Sequence, residues 1–214
     1  MKANSGNIFF TGVLVVVGLI LIYSFSGEQL DEQYNKTIQK FRDEKNKMFK
    51  TSDESPLDRK QKKVFDSLSY FPINSAFKVE AKIVKLPLGE IVTINTTGNK
   101  PRKYRKFALA QFNLGGQSHE LLLLQATDRL SESLHKSLLF LAFTDLTSGE
   151  DTYGAGRYID IEKPEGETVV IDFNMAYNPY CAYNSTYDCP IPPQENNLSI
   201  AIQAGEKNFG TANY

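Results

Sequence analysis

From residue 77 onward the chain runs in short segments of alternating apolar and polar residues, and that rhythm limits the fold more than any other feature. Phe77 to Lys85, FKVEAKIVK, sets an apolar side chain at every second position, the pattern of a strand with one buried face. EIVTIN, KFALAQFNL, HELLLLQ, LLFLAF, RYIDI, TVVIDF and LSIAIQA follow, separated by Gly, Asn, Pro, Asp and Ser. Strands this short and this closely spaced predict a mainly β fold, an antiparallel β-sandwich or a barrel-like domain, over residues 71–214. Asp128 to Ser137, DRLSESLHKS, is expected to add a helical turn or two between strands. No repeat of fixed period interrupts the pattern.

The amino-terminal part is different. Ile8 to Phe25, IFFTGVLVVVGLILIYSF, carries no charge, and as a helix its 18 residues would reach about 27 Å, near the thickness of a bilayer's hydrocarbon core. Residues 1–27 are therefore expected to be a membrane anchor, with a signal peptide cut after Ser26 as the alternative. The run exceeds the usual apolar core of a signal peptide and lacks an Ala-x-Ala site, which favours the anchor. Flanking charge, Lys2 against Lys36, Lys40, Arg42 and Lys45, would by counting keep the domain inside. Long domains cross regardless of such charges, and two cysteines suit an oxidising compartment, so the domain is expected to be extracytoplasmic, or periplasmic. Residues 28–70 are expected to form a helical stalk and docking segment. There Leu30, Tyr34, Ile38, Phe41 and Met48 make a thin apolar stripe that also takes in Lys45. A turn at Ser55-Pro56 then leads into a short helix.

A net charge of −1 conceals an uneven distribution. Glu28 to Lys106 holds 18 Lys and Arg against 11 Asp and Glu, whereas Phe107 to Tyr214 holds 5 against 14. The densest basic run, KPRKYRK at Lys100 to Lys106, reads as a solvated surface loop, because no nucleic-acid-binding signature accompanies it. Nucleic acid is not an expected partner.

Two dense stretches carry the candidate site. DFNMAYNPYCAYNSTYDCPIPP, Asp172 to Pro193, contains both cysteines of the chain. Neither metal nor Cys-x-x-Cys redox chemistry fits Cys181 and Cys189, since zinc wants four ligands and only His119 and His135 stand elsewhere. In an exported domain they are expected to form one structural disulfide, contributing roughly 2.6 kcal/mol by loop entropy, with free thiols the alternative. Proline and asparagine make the same stretch rigid and turn-rich. DLTSGEDTYGAGRYIDI, Asp145 to Ile161, has Gly154 and Gly156 without the spacing of a phosphate loop, and reads as a turn delivering Tyr153 and Arg157. No cofactor motif appears.

FTDLTSGEDTYGAGRYIDI, DFNMAYNPYCAYNSTYDCPIPPQENNLSIAIQAGEK and the earlier SPL…FDSLSYFPINSAFKVEA together resemble the bacterial family catalogued as domain of unknown function 1684, over about Arg42 to Lys207. Met175 stands where the resemblance leads one to expect lysine, and Tyr180 where it leads one to expect proline, so no shared catalytic lysine is expected at Met175. The resemblance implies no particular activity.

Three functions of different kind remain open. As a binding or envelope-accessory module, the domain would use Asp145, Tyr153, Arg157, Asp172, Asn174, Asn178, Glu195 and Glu206 around a polar pocket for a small molecule, glycan or peptide. Tyr177, Tyr180 and Tyr183 would be its aromatic walls, and Arg157 is expected to act with Asp172. Equally, these groups could satisfy buried loop backbone. As a hydrolase of envelope glycans or peptides, it would draw a carboxylate pair from Asp145, Asp160, Asp172, Glu195 and Glu206. As a structural partner it would present the stalk or an edge strand.

Overall fold

The computed structural model describes residues 30–87, 89–98, 100–127 and 137–210. The apolar segment 8–25 and the expected helical turns of 128–136 lie outside them. Among the described residues no helix is long and apolar enough to cross a membrane. The chain divides into two units, Met1–Lys40 and Phe41–Tyr214. In the first unit the described residues 30–40 are helical, the beginning of α1, which covers residues 30–51.

In the second unit α1 buries Arg42 and Phe49, and the turn after it is closed by Ser55, whose hydroxyl donates to the Phe49 carbonyl at 2.6 Å. The short helix α2, Arg59–Val64, starts where Asp58 and Gln61 form a reciprocal capping box. Phe49, Leu57, Phe65, Leu68 and Tyr183 pack into a small cluster of their own.

Among the described residues seven strands follow: β1 Lys78–Lys85, β2 Ile91–Ile94, β3 Arg102–Leu114, β4 Gln117–Ala126, β5 Leu138–Phe143, β6 Arg157–Glu162 and β7 Thr168–Asp172. All pairings are antiparallel, in the order β6-β5-β4-β3-β1-β7, with β2 also on β3. The domain is thus one curled, half-barrel sheet, not two stacked sheets. The long strand β3 makes this possible: its first half pairs β2, its second half pairs β1, and a bulge at Phe107 separates them.

Alternation puts Val79, Ala81, Ile83, Ala108, Ala110 and Phe112 into the main core beside Leu139, Leu141 and Phe143. The unbroken Leu121–Leu124 run is buried on both faces. Leu121 and Leu123 enter the main core, whereas Leu122 and Leu124 join Ile94 and Tyr104 on the opposite face.

Two expected elements come out differently. The basic run is not a loop: Arg102 to Lys106 is strand, and Tyr104 within it is buried. Conversely, Leu198 to Ala204 is not a strand, although Leu198, Ile202 and Ala204 are buried in the core. Its first half still bonds to the backbone of Thr144 and Leu146, but the Ile202 and Ala204 carbonyls are used by a side chain.

Candidate functional site

That side chain is Arg157, fully buried at the start of β6. Gly156 delivers it there with φ +91°, and a Cβ at Gly156 would meet the Phe143 carbonyl oxygen at 2.5 Å, so the turn has room only for glycine. The guanidinium donates to Asp145 Oδ2 at 2.8 Å and the Ile202 carbonyl at 2.9 Å, and also to the Ala204 carbonyl. Asp145 Oδ1 in turn accepts from the Thr147 amide at 2.8 Å, the Thr147 hydroxyl at 2.6 Å and the Ile202 amide at 3.1 Å. The ion pair therefore satisfies Ile202 and Ala204, beyond the part of the segment that bonds to the backbone of Thr144 and Leu146. Asp172 is not its partner. It caps the 3₁₀ turn Phe173–Met175, accepting from the Asn174 amide at 3.0 Å, and Asn174 Nδ2 donates to the Asn74 carbonyl at 2.8 Å. The expected joint action of Arg157 and Asp172 is corrected accordingly, because the end of β6 that carries Arg157 faces the 145–152 turn.

Glu206 is a second buried hub. Lys45 Nζ donates to it at 2.7 Å, Asn178 Nδ2 at 3.1 Å, the Asn178 amide at 3.2 Å, and the Tyr183 hydroxyl also donates to it. Burial pulls the Lys45 ammonium below its ordinary pKa, against the opposing pull of Glu206. Burial and then the Glu206 charge push the Tyr183 phenol well above its ordinary value. The Lys45 ammonium also lies 4.5 Å from the Tyr177 ring centroid, a cation–π contact.

Lys45 and Tyr177 form one wall of a cavity of about 670 Å³. Tyr104 and Phe140 stack at 5.4 Å on its sheet side, Tyr158 meets Phe140 edge-on at 4.7 Å, and Tyr177 meets Tyr158 at 5.9 Å. Tyr180 and Tyr187, edge-to-face at 5.3 Å, come from the proline-rich loop. The polar lining comprises Lys45, Arg102, Glu44, Asp160 and Asp188. Asp160 accepts the Tyr177 hydroxyl at 2.8 Å, and Arg102 donates to the Asp188 carbonyl at 2.9 Å. Beside the cavity lie the cysteines, and Cys189 lines it. They are two thiols with no disulfide between them. The Cys181 amide donates to Cys189 Sγ at 3.1 Å, and the Tyr153 hydroxyl donates to Cys181 Sγ at 3.7 Å. The loop thus closes by hydrogen bonds to sulfur where a covalent bridge was expected.

The structure gathers Asn178 and Glu206 behind Lys45, outside the cavity lining, and sets Tyr153 on Cys181. It commits Asp145 and Arg157 to each other, places Asp172 and Asn174 with Asn74, and leaves Glu195 exposed on the surface. Tyr177 and Tyr180 line the cavity as expected of walls; Tyr183 is buried behind it. Sequence reasoning missed Tyr104, Phe140, Tyr158 and Arg102 as cavity residues. The alternation of β5 and β6 carried a signal for Phe140 and Tyr158. Among the described residues no cluster of three or more His, Cys, Asp or Glu is arranged to hold a metal.

Residues 63–207 match the family described as "Protein of unknown function (DUF1684)", and the chain belongs to that family. The solution NMR structure of an uncharacterized protein from Haloarcula marismortui is similar, with a TM-score of 0.64 and 33% sequence identity. The alignment covers 86% of this chain and 98% of that one. No match was found among curated proteins.

Proposed function

We propose that the domain binds a saccharide in the tyrosine-lined cavity. The supporting observation is the combination of flat aromatic walls with both donors and acceptors in one space of about 670 Å³, a size suited to a small ligand. The C–H face of a sugar ring packs on Tyr104 or Tyr177, while Asp160, Asp188 and Arg102 hydrogen-bond its hydroxyls. The hydrolytic alternative has less to draw on. Of the five carboxylates considered for it, Asp160 alone lines the cavity, and Asp145 and Glu206 are already held by buried donors. NMR titration with a panel of soluble oligosaccharides is expected to shift the resonances of Tyr104, Tyr158, Tyr177 and Tyr187. Tyr177→Ala should weaken binding about tenfold, roughly one aromatic contact plus its buried area. Shifts confined to other surfaces, or seen only with peptides, would overturn the saccharide reading.

We further propose that residues 8–25 tether the domain to a membrane with its cavity on the extracytoplasmic side; the uncharged 18-residue run supports this. The protein is expected to stay with membranes after a high-salt wash and to begin near Met1. Amino-terminal sequencing that starts at Gly27 would instead make it a secreted domain.

A further inference from the structure

We propose that Cys181 and Cys189 form a dithiol site that reacts with hydroperoxides, Cys181 attacking and Cys189 resolving. Their placement suits the two roles. Cys181 is half-buried and reachable, whereas Cys189 is 7% exposed and shielded from direct attack. The Cys181 amide donates to Cys189 Sγ at 3.1 Å, which sets the two residues against each other, and the Tyr153 hydroxyl donates to Cys181 Sγ at 3.7 Å. A partly exposed sulfur that receives hydrogen bonds is the setting in which a thiolate persists. The neighbouring Cys189, with a smaller effect from the Tyr153 hydroxyl, lowers the Cys181 pKa to about 6 against the opposing effect of burial.

A purely mechanical role for the pair is poorly motivated, because the loop is fastened without it. Thr97 donates its amide to the Cys189 carbonyl at 3.0 Å, and Ile191 donates to the Asn95 carbonyl at 2.8 Å. The Cys189 amide donates to the Thr97 hydroxyl at 3.1 Å, the Tyr158 hydroxyl donates to the Pro190 carbonyl, and Tyr183 is packed against Phe49. A disulfide would only tighten what these contacts already hold.

The chemistry balances. The Cys181 thiolate attacks the terminal oxygen of the hydroperoxide; an S–O bond forms and the O–O bond breaks. The leaving alkoxide, or hydroxide from hydrogen peroxide, takes up a proton, and Cys181 becomes a sulfenic acid, oxidised by two electrons. The Cys189 sulfur then attacks the Cys181 sulfur, forming S–S and breaking S–O, and the departing hydroxide leaves as water with the Cys189 proton. Two thiols and one hydroperoxide yield one disulfide, one alcohol or water, and one further water.

The test treats the reduced full-length chain with one equivalent of hydrogen peroxide and reads the products by mass spectrometry. The wild type is expected to lose both thiols, gain one Cys181–Cys189 bond and recover both thiols with dithiothreitol. Cys189→Ser should accumulate a sulfenic acid at position 181 that dimedone captures. Cys181→Ser should consume peroxide at least about tenfold more slowly than the wild type, because the remaining thiol is buried. If circular dichroism shows that Cys181→Ser does not fold, the dimedone label at Cys181 in Cys189→Ser decides alone. Wild-type thiols that survive the treatment, single variants that react at equal rates, or no dimedone label at Cys181 would each overturn the proposal.

Discussion

Replacing Arg157 with methionine is expected to lower the stability of the domain by about 3–5 kcal/mol, because Asp145 is left as an unpaired buried charge. Asp145→Asn should cost a similar amount, as the guanidinium then loses its counter-charge in a site with no exposure of either side chain. In an ordinary buried pair, replacing both partners with apolar groups would restore much of the loss. Here it should restore less than half. The guanidinium also satisfies the carbonyls of Ile202 and Ala204, and Asp145 satisfies the Ile202 amide. Two apolar side chains cannot supply those bonds, and each buried backbone group left unpaired costs about 1–3 kcal/mol. Asp172→Ala is the contrasting case, expected to cost only about 1–2 kcal/mol as the loss of a cap. Urea unfolding of the four variants measures all of these values. A fully restored double variant would show that the segment holds its place by apolar packing alone.

The second large effect appears in alkali. Tyr158, Tyr177 and Tyr183 all have phenols raised above the ordinary tyrosine value, burial being the leading cause in each. For Tyr177 the Asp160 charge adds to this, and for Tyr183 the Glu206 charge does. A phenol whose folded pKa lies above its unfolded value binds more protons in the native state once the pH passes about 10. Its stabilisation is complete below that point and is lost as pH rises through the interval up to the folded value. Each phenol should contribute a slope of about 1.4 kcal/mol per pH unit, so the three together should remove about 4 kcal/mol per unit above pH 10. Lys45 acts in the opposite sense. Its lowered pKa means the unfolded chain binds more protons between the folded value and 10.5, so stability rises with pH there. Urea unfolding at about pH 9 and about pH 11, with phenolate absorbance followed in parallel, reads the net effect. Tyr183→Phe should remove about one third of the slope due to these three phenols, provided it folds. Phenolate formation without loss of stability would show that these rings reach solvent in the native state.

Period-two alternation of Lys78–Lys85 and Thr168–Asp172 fixes which side chains point inward, and that much is local chemistry readable from the chain. The capping box at Asp58 and Gln61 is equally local. Glycine at position 156 announces a turn, since a positive φ needs no distant partner to be recognised. Pairing is a different matter. Nothing in KPRKYRK shows that β2 will lie alongside it, so a strand with one buried tyrosine looks like a solvated basic loop. Nothing in LSIAIQA shows that its carbonyls will be taken by an arginine about 45 residues earlier. The cavity is non-local in the same way: Lys45, Tyr104, Phe140, Tyr158 and Tyr177 are spread over more than half of the chain and meet only through the curl of the sheet. Arg157 had two carboxylates near strand ends to choose from, Asp145 and Asp172, and sequence chemistry could not separate them. The tertiary structure decided for Asp145, because the antiparallel pairing of β5 with β6 puts Arg157 opposite Phe143, two residues before Asp145.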